Sequence, residues 1–422
     1  MIITVNPGDT TELISAEYDV PESKIIADNG IVGNSLVTGQ SLIIALPERS
    51  IIPLESTSVS DLSKEYSIDT KTIFRNNYIL SGQNSIPTGT FTVLEYRSPP
   101  ANERIIGGYA YDFISTDRLN SVINYMTYIM PFTYGFTSEG ELISPSDEYI
   151  LERAAFYNVK ALMHISTLTQ SGVFDSNLPG TVFENENVKQ LLIDNIISVV
   201  EVKNYDGVDI DFEFLPANQR ENYVNFTRQL SLRLHQIGKI LVIAVPPKTS
   251  DEQRGILVEG IDYSGLGKNA DYILNMTYEY GYKFGPALAI SPINQVRRAL
   301  DYAITRIPPE KLLLGIANYG YDWTLPYVRG ESDAPSISTV EAIELAKRYG
   351  ADIKFDETSM APFFFYSDKA GRSHEVWFED ARSYKAKMDL IKEYNLAGGF
   401  IWDLMRDNPS GFVTINSLLK IL

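Results

Sequence analysis

Hydrophobic and acidic residues alternate strictly between positions 208 and 214, where the chain reads Val-Asp-Ile-Asp-Phe-Glu-Phe. A β-strand sends successive side chains to opposite faces, so this pattern predicts a strand with Asp209, Asp211 and Glu213 on one face. The opposite face would be apolar, with Val208, Ile210, Phe212 and Phe214. Three acids on one face of a buried strand repel one another and lose hydration, so folding alone does not favour them. The pattern therefore indicates a functional site.

Apolar runs of similar length recur throughout residues 103–422 and alternate with helical stretches. Eight of them are predicted to be strands: 105–111, 128–132, 160–165, 207–213, 240–245, 272–276, 311–317 and 398–402. Strands that alternate with helices favour an α/β fold with a parallel sheet, and eight such units predict a (β/α)8 TIM barrel. We assign residues 103–422 to this barrel.

The seventh and eighth predicted strands are about 80 residues apart, which is far more than one helix requires. Three short aromatic-rich segments lie in this gap, at 353–356, 362–366 and 375–378. They predict a small α+β insertion over residues 324–380, between strands 7 and 8 and beside the site.

Residues 1–97 contain a repeat with a period of roughly 48 residues. Corresponding residues in the two copies are Glu17 and Glu65, Tyr18 and Tyr66, and Gly39 and Gly89. Each copy predicts a strand, two short helices and a second strand, so we expect two small βααβ modules at 1–48 and 49–97. The proline-containing segment 98–102 is predicted to be a stiff linker to the barrel.

The composition limits both the chemistry and the partners. The chain has 54 acidic and 36 basic residues, a net charge of −18, which argues against nucleic acid or a membrane surface as a partner. There is no cysteine, and His164, His235 and His374 lack metal-ligand spacing. We therefore expect no metal and no cofactor, and chemistry that depends on carboxylates, tyrosines and amides.

The sequence carries no pattern typical of membrane insertion or secretion. No apolar run reaches the roughly 18 residues of a membrane-spanning helix. The first residues, Met-Ile-Ile-Thr-Val, lack the basic segment and long apolar stretch of a signal peptide. We therefore expect synthesis in the cytosol without export by the general secretory route.

Several predicted strands end in residues that are suited to a site. Active sites of TIM barrels lie at the carboxyl ends of the strands. Glu213 ends the fourth predicted strand, and Met276 and Tyr278 end the sixth. Trp402 ends the eighth. We expect these residues, although distant in sequence, to converge on one mouth.

The fourth predicted strand resembles the signature of glycoside hydrolase family 18. Residues 206–213 read Asp-Gly-Val-Asp-Ile-Asp-Phe-Glu and match that family's DGxDxDxE pattern. Residues 275–279, Asn-Met-Thr-Tyr-Glu, are similar to its Met-x-Tyr-Asp motif, with Glu279 where Asp is usual. Residues 398–402 resemble its Gly-Gly segment that ends in Trp. The third strand departs from the pattern, because residues 163–167 read Met-His-Ile-Ser-Thr where many chitinases have Ser-x-Gly-Gly.

The resemblance implies a role for each central residue. Glu213 would act as general acid and then as base, while the substrate's own 2-acetamido group acts as nucleophile. Asp211 would orient that group, and Asp209 would share a proton with Asp211 because adjacent buried acids do not all ionise. Tyr278 would hold the acetamido group, and Trp402 would form the floor under the sugar.

Further substrate contacts are predicted at Asn275, Met276 and Glu279. Met276 fits the core equally well, and whether Glu279 contacts substrate stays open. Tyr109, on the first strand, belongs either beneath the acids as part of the substrate site or in the ordinary core. His164 is interpreted as a core histidine.

The two N-terminal copies resemble LysM, a module that binds glycans containing N-acetylglucosamine. The first copy carries Gly8-Asp9-Thr10 and Asn29, and the second keeps Asn77 but lacks the Gly-Asp-Thr triplet. The resemblance implies that these residues bind glycan. A structural spacer is the alternative for each copy.

Two LysM modules before a family 18 barrel resemble the spore cortex-lytic N-acetylglucosaminidases of the SleL/YaaH type. The resemblance implies hydrolysis of β-1,4 bonds after N-acetylglucosamine in cortex peptidoglycan during germination, through an oxazolinium intermediate. It also implies deposition in the coat or cortex region of the spore, with coat proteins as further partners. The alternatives are a chitinase or endo-β-N-acetylglucosaminidase that acts on other glycans, and a non-catalytic lectin or coat protein.

Overall fold

Two βααβ units precede the barrel in the computed structural model, which describes residues 1–97, 101 and 103–422. The elements of the first module, residues 1–46, are β1 (Ile2–Thr4), α1 (Thr11–Tyr18), α2 (Glu22–Asn29) and β2 (Ser41–Ile43). β1 and β2 pair antiparallel. Thr10 caps α1, since its hydroxyl accepts a hydrogen bond from the backbone N–H of Leu13 at 3.1 Å. These elements confirm the predicted order of the first copy.

The second module, residues 47–97, repeats this order and adds a short strand pair. Its elements are β3 (Pro47–Ile51), β4 (Thr57–Ser58), α3 (Val59–Tyr66), α4 (Thr70–Asn76), β5 (Ser85–Ile86) and β6 (Thr92–Tyr96). β3 pairs with β6 and β4 pairs with β5, both antiparallel. β3 begins two residues before the predicted start of the module at 49. The predicted linker at 98–102 lies outside the described residues, except for Ala101.

Strands and helices then alternate up to residue 317. In chain order they are β7 (Glu103–Tyr111), α5 (Thr116–Ile123), β8 (Tyr128–Phe132), β9 (Gly135–Phe136), β10 (Leu142–Ile143), α6 (Glu148–Phe156), β11 (Lys160–Ser166), α7 (Leu178–Phe183), α8 (Glu186–Val202), β12 (Gly207–Asp211), α9 (Arg220–Gln236), β13 (Ile240–Val245), α10 (Tyr263–Asn269), β14 (Tyr272–Asn275), α11 (Ile293–Ala303) and β15 (Leu312–Ala317).

An α+β insertion follows, as predicted between the seventh and eighth barrel strands. Its elements are β16 (Gly320–Thr324), β17 (Ser336–Ile337), α12 (Thr339–Tyr349), β18 (Lys354–Asp356), β19 (Ala361–Ser367) and β20 (Ser373–Trp377). Its five strands form one antiparallel sheet in the order β17-β16-β20-β19-β18. The chain then completes the barrel with α13 (Ala381–Glu393), β21 (Gly398–Trp402), α14 (Pro409–Leu418) and β22 (Lys420–Ile421).

Eight parallel strands close into a barrel, which confirms the predicted TIM fold. Their order is β7-β8-β11-β12-β13-β14-β15-β21, and β21 pairs back with β7. β22 adds to the edge of β7 at its amino end. Among the described residues, no helix is both long enough and apolar enough to cross a membrane.

Two barrel strands end earlier than predicted, and both ends lie at the site. β12 ends at Asp211, where its pairing with Ser166 of β11 also ends, so Glu213 lies two residues beyond the strand. β14 ends at Asn275, so Tyr278 lies in the following loop. Glu213 and Tyr278 therefore project from the loops that follow their strands rather than from paired strand positions.

The predicted alternation along β12 holds for three of its four apolar residues. Val208, Ile210 and Phe212 are buried in the layer between the strands and the outer helices. The prediction for Phe214 is wrong: its side chain was expected on that apolar face, but it is 45% exposed. The reason is the backbone, which leaves the extended conformation after the strand and gives Phe214 a φ of 56°.

Candidate active site

Asp209 lies inside the barrel, beneath the mouth, and is completely buried. The Tyr109 hydroxyl donates a hydrogen bond to Oδ2 of Asp209 at 2.8 Å. Nδ1 of His164 lies 2.9 Å from the same oxygen. Tyr109 therefore packs beneath the acids, which was one of its two predicted places.

His164 was interpreted as a core histidine, and its contact with Asp209 was missed. The ring is buried and packs edge-on against Tyr109 with the centroids 5.1 Å apart. His164 and Asp209 are paired positions of neighbouring strands β11 and β12. A polar residue at an inward position of a neighbouring strand was the available signal, but the register that pairs the two residues is not visible in the sequence.

Asp211 ends β12 directly below the mouth. Burial raises the pKa of its carboxyl to about 8, and the nearby Glu213 carboxylate adds to the increase, while His164 opposes it. Oδ1 of Asp211 is buried and has no hydrogen-bond partner among the described residues. Since buried polar atoms are normally hydrogen-bonded, this oxygen is free to bind a polar group of a ligand.

Glu213 lies one step further out, at the wall of a cavity of about 440 Å³. Burial raises the pKa of the Glu213 carboxyl, and the charge of Glu279 raises it further. A carboxyl with a raised pKa retains its proton closer to neutral pH and is suited to act as a general acid.

The cavity brings together six of the predicted site residues: Asp211, Glu213, Met276, Tyr278, Glu279 and Trp402. Burial raises the pKa of the Tyr278 phenol well above its usual range, so the phenol is a neutral hydrogen-bond donor. Trp402 is fixed by edge contacts with Phe132 at 4.9 Å and with Tyr109 at 5.4 Å between ring centroids. The result is a rigid aromatic wall next to the acids.

Other residues of the cavity wall were not predicted from the sequence. They are Tyr111, Phe132, Ser166, Thr167, Phe174, Ser176 and Phe214. Tyr111 and Phe132 are the last residues of the barrel strands β7 and β8. Their position at the mouth could therefore have been predicted from the strand boundaries. Phe174 and Ser176 lie on the long connection after β11, where no strand end marks a residue as part of the wall.

Glu279 adopts a left-handed backbone with φ of 61°. Its carboxylate accepts hydrogen bonds from the hydroxyls of Tyr319 and, at 2.8 Å, Tyr321. Burial raises its pKa, and the two phenols counteract that rise. The longer acid is therefore held at the cavity wall by two residues that were not predicted, one of them on strand β16 of the insertion.

Asn275 does not reach the cavity, which corrects its predicted contact with the substrate. It is the last residue of β14 and is fully buried. The hydroxyl of Tyr263, a residue of α10, lies 3.5 Å from its Oδ1. The side chain thus points toward the outer helices, because Asn275 alternates with the inward residues Leu274 and Met276.

The predicted glycan residues of the modules fall into two groups. Gly8, with φ of 92°, and Thr10 are exposed on the turn before α1, and Asp9 is half-buried there. Asn29 and Asn77, by contrast, are buried.

Both asparagines use their amides to hold the module together. Asn29 donates to the carbonyl oxygens of Ile25 and Ile43 and accepts from the N–H of Ile43 at 2.7 Å. Asn77 makes the same three bonds with Ile73 and Val93. Buried amides committed to the backbone are not available to a sugar, so the structure gives these two residues a structural role instead of the predicted contact with glycan.

Comparison with known proteins identifies the families that the chain matches. The model of glycosyl hydrolases family 18 matches residues 110–407, and the LysM domain model matches residues 3–45. The cortical fragment-lytic enzyme of Bacillus subtilis (strain 168) is 35% identical over 332 residues, which cover 77% of each chain. The putative sporulation-specific glycosylase YdhD of the same organism is 32% identical over 422 residues, 95% of this chain and 94% of that one.

Solved structures of a spore cortex-lytic enzyme and of a chitinase are also similar to this chain. The spore cortex-lytic enzyme SleL of Bacillus megaterium QM B1551 superimposes with a TM-score of 0.85 at 33% identity, over 100% of this chain and 98% of that chain. A chitinase of Chromobacterium violaceum ATCC 12472 shares the fold, with a TM-score of 0.69 at 24% identity, over 74% of this chain and 98% of that one.

Proposed function

The chain belongs to glycoside hydrolase family 18, and we propose that it hydrolyses β-1,4 bonds after N-acetylglucosamine in spore-cortex peptidoglycan. The observation that carries the proposal is the line of three acids, from Asp209 inside the barrel through Asp211 to Glu213 at the cavity wall. The names of the cortical fragment-lytic relatives and of the SleL structure support the choice of substrate.

Glu213 is proposed to protonate the leaving oxygen. Its pKa, raised by burial and by the charge of Glu279, favours the protonated form that a general acid needs. After the bond breaks, the Glu213 carboxylate takes a proton from the water that completes hydrolysis, so one residue serves as acid and then as base.

The nucleophile is proposed to be the acetamido oxygen of the substrate. Three carboxyl groups line the cavity; Glu213 is the acid and Glu279 is bound by Tyr319 and Tyr321. The third, Asp211, has a pKa raised to about 8, so it retains a proton through much of the neutral range and is a poor nucleophile. Attack by the acetamido group needs no further carboxylate and gives a retained anomeric configuration.

The residues around Asp211 are suited to guide that attack. A positive charge forms on the acetamido group as the oxazolinium ion develops, and it favours the ionised form of Asp211 beside it. Asp209, held by Tyr109 and His164, is proposed to share the proton that Asp211 releases. The neutral phenol of Tyr278 donates to the acetamido group, and the Trp402 ring lies beneath the sugar.

The cellular setting of the proposal is the bacterial spore. We propose synthesis in the cytosol and deposition at the coat or cortex, where coat proteins are potential partners. The net charge of −18 does not attract the protein to an anionic wall, so contacts with sugar must provide the affinity.

The test compares Glu213→Gln with Glu201→Gln, a control on the exposed face of α8 at the foot of the barrel. We expect Glu213→Gln to lower kcat on purified cortex by about 10³-fold, because general acid catalysis is lost, while binding to insoluble cortex persists. Glu201→Gln should match the wild type. Full activity of Glu213→Gln would refute the role of the acid.

Analysis of the products separates the alternatives. Mass spectrometry of cortex digests should find N-acetylglucosamine at the new reducing ends, and NMR should find the β-anomer first. Faster turnover of chitin oligomers or of glycoprotein glycans than of cortex would favour the chitinase or endoglycosidase alternative. Binding without any turnover would favour the lectin or coat protein.

A further inference from the structure

A second cavity lies where both modules meet the barrel, and its volume is about 650 Å³. The first module contributes Ile31 to its wall and the second contributes Ile79. The barrel contributes Ser121 of α5 together with Met405 and Asp407, from the loop after β21. We call this space the junction cavity. Its size falls within the range of ligand sites, which is about 300–1,000 Å³.

Arg118 fixes the walls of the junction cavity. Its Nη1 donates to the carboxylate of Asp407 at 2.9 Å and to the hydroxyl of Tyr78, in the second module, at 3.3 Å. Its Nε donates to the carbonyl oxygen of Leu404 at 2.7 Å. Arg118 is 91% buried and its guanidinium is committed to these bonds, so the cavity is formed before any ligand arrives.

The first module also packs closely against the rest of the chain. A Cβ atom placed on Gly30, at the end of α2, would approach side-chain atoms of Pro409 and Val340 to 2.9 Å. The carboxyl end of α2 therefore lies directly on α14 and α12. The first module is held beside the cavity rather than carried on a free tether.

The junction cavity lies next to the catalytic cavity, as two chain segments show. Tyr111 lines the catalytic cavity and Ser115 lines the junction cavity, four residues later. Likewise, Trp402 lines the catalytic cavity and Met405, three residues later, lines the junction cavity. Consecutive Cα atoms are 3.8 Å apart, so these wall residues lie within about 15 Å and about 11 Å of each other. A glycan of a few sugars can span that distance.

The lining suits sugar better than an ion. Ile31, Ile79 and Met405 supply apolar surface for the faces of pyranose rings, and Ser121 and Asp117 supply polar atoms at the wall. The charge of Arg118 is paired with Asp407, so the cavity carries no free cation among the described residues to select an anion. Apolar surface combined with polar groups suits a ligand that presents both apolar faces and hydroxyl or amide groups, as an N-acetylated sugar does.

We propose that the junction cavity is an accessory site for the same glycan strand that is cleaved in the catalytic cavity. Its ligand is a neutral segment of an N-acetylated, β-1,4-linked strand that leaves the mouth over β21 and β7. The proposal rests on the proposed function. Two contacts along one strand raise the effective concentration of the second, so long substrates gain affinity that a short glycoside cannot.

The first test fills the cavity with Ser121→Trp, while Ser198→Trp places the same ring on the exposed face of α8 as a control. We compare kcat/KM on soluble glycan strands of at least eight sugars with kcat/KM on a chromogenic N-acetylglucosaminide. The ratio of the two should fall about tenfold for Ser121→Trp, which corresponds to about 1.4 kcal/mol, mainly through KM. It should stay at the wild-type value for Ser198→Trp.

A second variant keeps the proposal testable if the bulky one does not fold. Ile79→Ala removes apolar wall from the cavity, and Ile304→Ala removes a similar exposed isoleucine after α11, at the foot of the barrel. In a Glu213→Gln background, calorimetric titration with an eight-sugar strand should show weaker binding for Ile79→Ala only. Titration with a disaccharide should show equal binding for both variants.

Three outcomes would overturn the accessory site. The first is an unchanged kcat/KM ratio in Ser121→Trp together with unchanged binding of the eight-sugar strand in Ile79→Ala. The others are an equal loss on long and short glycans, and an equal loss in the controls. Failure of the proposed function looks different, because the wild-type protein would then hydrolyse neither the long strand nor the short glycoside. Strand-length-dependent binding without hydrolysis would still support the junction cavity.

Discussion

The two N-terminal modules have the same fold and the same internal amide, yet they are built into the molecule in different ways. Asn29 and Asn77 each tie the second helix of their module to its last strand by three backbone hydrogen bonds. Their equivalence shows that the repeated asparagine has the same structural role in both modules. What differs between the modules is therefore found in their packing and in their loops.

The first module has a core of its own. Its buried apolar residues, which include Ile14, Ile25 and Leu42, form a cluster separate from that of the barrel. The second module has none: Leu62, Ile73 and Phe74 belong to the cluster that also contains Leu119 and Tyr125 of the barrel. The second module is thus part of the barrel's outer layer, and the first is a separate unit that docks on it.

The loops of the two modules also differ, because those of the second module are more fully packed. In the first module the turn Asn6–Thr10 and the segment 32–35 are largely exposed. In the second module the matching segments pair as β4 and β5, with Thr57 opposite Ile86. The side chain of Asn84 also accepts from the N–H of Ser60 at 3.2 Å. The loops of the first module therefore remain exposed, whereas the matching loops of the second module are paired with each other.

The largest expected effect tests the shared core. Phe74→Ala removes a ring that packs edge-on against Tyr157 of the barrel at 6.0 Å, and we expect a loss of about 3–5 kcal/mol in the free energy of unfolding. Because the core is shared, the loss should appear in the unfolding of the barrel itself. Urea unfolding followed by turnover of a short glycoside measures it.

Ile25→Ala is the matched change in the first module, where Ile25 is buried in the separate cluster. Its cost of about 2–5 kcal/mol should be confined to that module. Hydrogen exchange should rise in residues 1–46 while the midpoint for glycosidase activity stays in place. Equal shifts of the activity midpoint in the two variants would show that the modules are coupled to the barrel alike.

The sequence predicted the parts of the fold and site that depend on local pattern. Alternation placed Asp209 and Asp211 on the inner face of a barrel strand, and strand ends brought Trp402 to the same mouth. The prediction from sequence failed where strand pairing determines the structure. β12 ends at Asp211 because its pairing with β11 ends there, and Phe214 therefore turns outward. Register between distant strands is a tertiary property and leaves no local signal.

Residue type alone was also insufficient to assign roles. Asn77 looked like a glycan contact, but its partner Val93 is sixteen residues away and only the folded module brings them together. The hydroxyls of Tyr319 and Tyr321 meet Glu279 across some forty residues for the same reason. Most side-chain hydrogen bonds go to the backbone or to water, so a polar residue repeated in a motif need not contact a ligand.

A smaller effect is expected from two matched glycines, Gly39 and Gly89, which occupy equivalent turns with φ of 82° and 79°. Substitution by Ala costs about 1 kcal/mol at either site, because the left-handed backbone disfavours a Cβ atom. At Gly39 the new Cβ would also lie 1.8 Å from the carbonyl oxygen of Ile353 in the insertion, whereas at Gly89 it meets open space.

Gly39→Ala should therefore partly release the first module from the insertion, with a total cost of about 2–3 kcal/mol. Small-angle scattering should show a larger radius of gyration, and exchange should rise around residues 37–40. Gly89→Ala should leave both measurements unchanged. If both variants behave alike, backbone strain alone accounts for the effect and the first module is not docked through this turn.

The smallest effect is expected from the lysines that bridge each module to the rest of the chain. Nζ of Lys347 donates to the carbonyl oxygen of Val32 in the first module at 3.0 Å, and Nζ of Lys71, in the second, donates to that of Asn158 at 2.5 Å. Lys347→Ala should cost at most about 0.5 kcal/mol, since its ammonium is partly solvated. Burial lowers the pKa of Lys71, so its ammonium is less hydrated than that of a free lysine, and we expect loss of its hydrogen bond and its alkyl packing to cost about 1 kcal/mol. A larger loss in calorimetry for Lys347→Ala than for Lys71→Ala would mean that the first module, not the second, is the more firmly attached one.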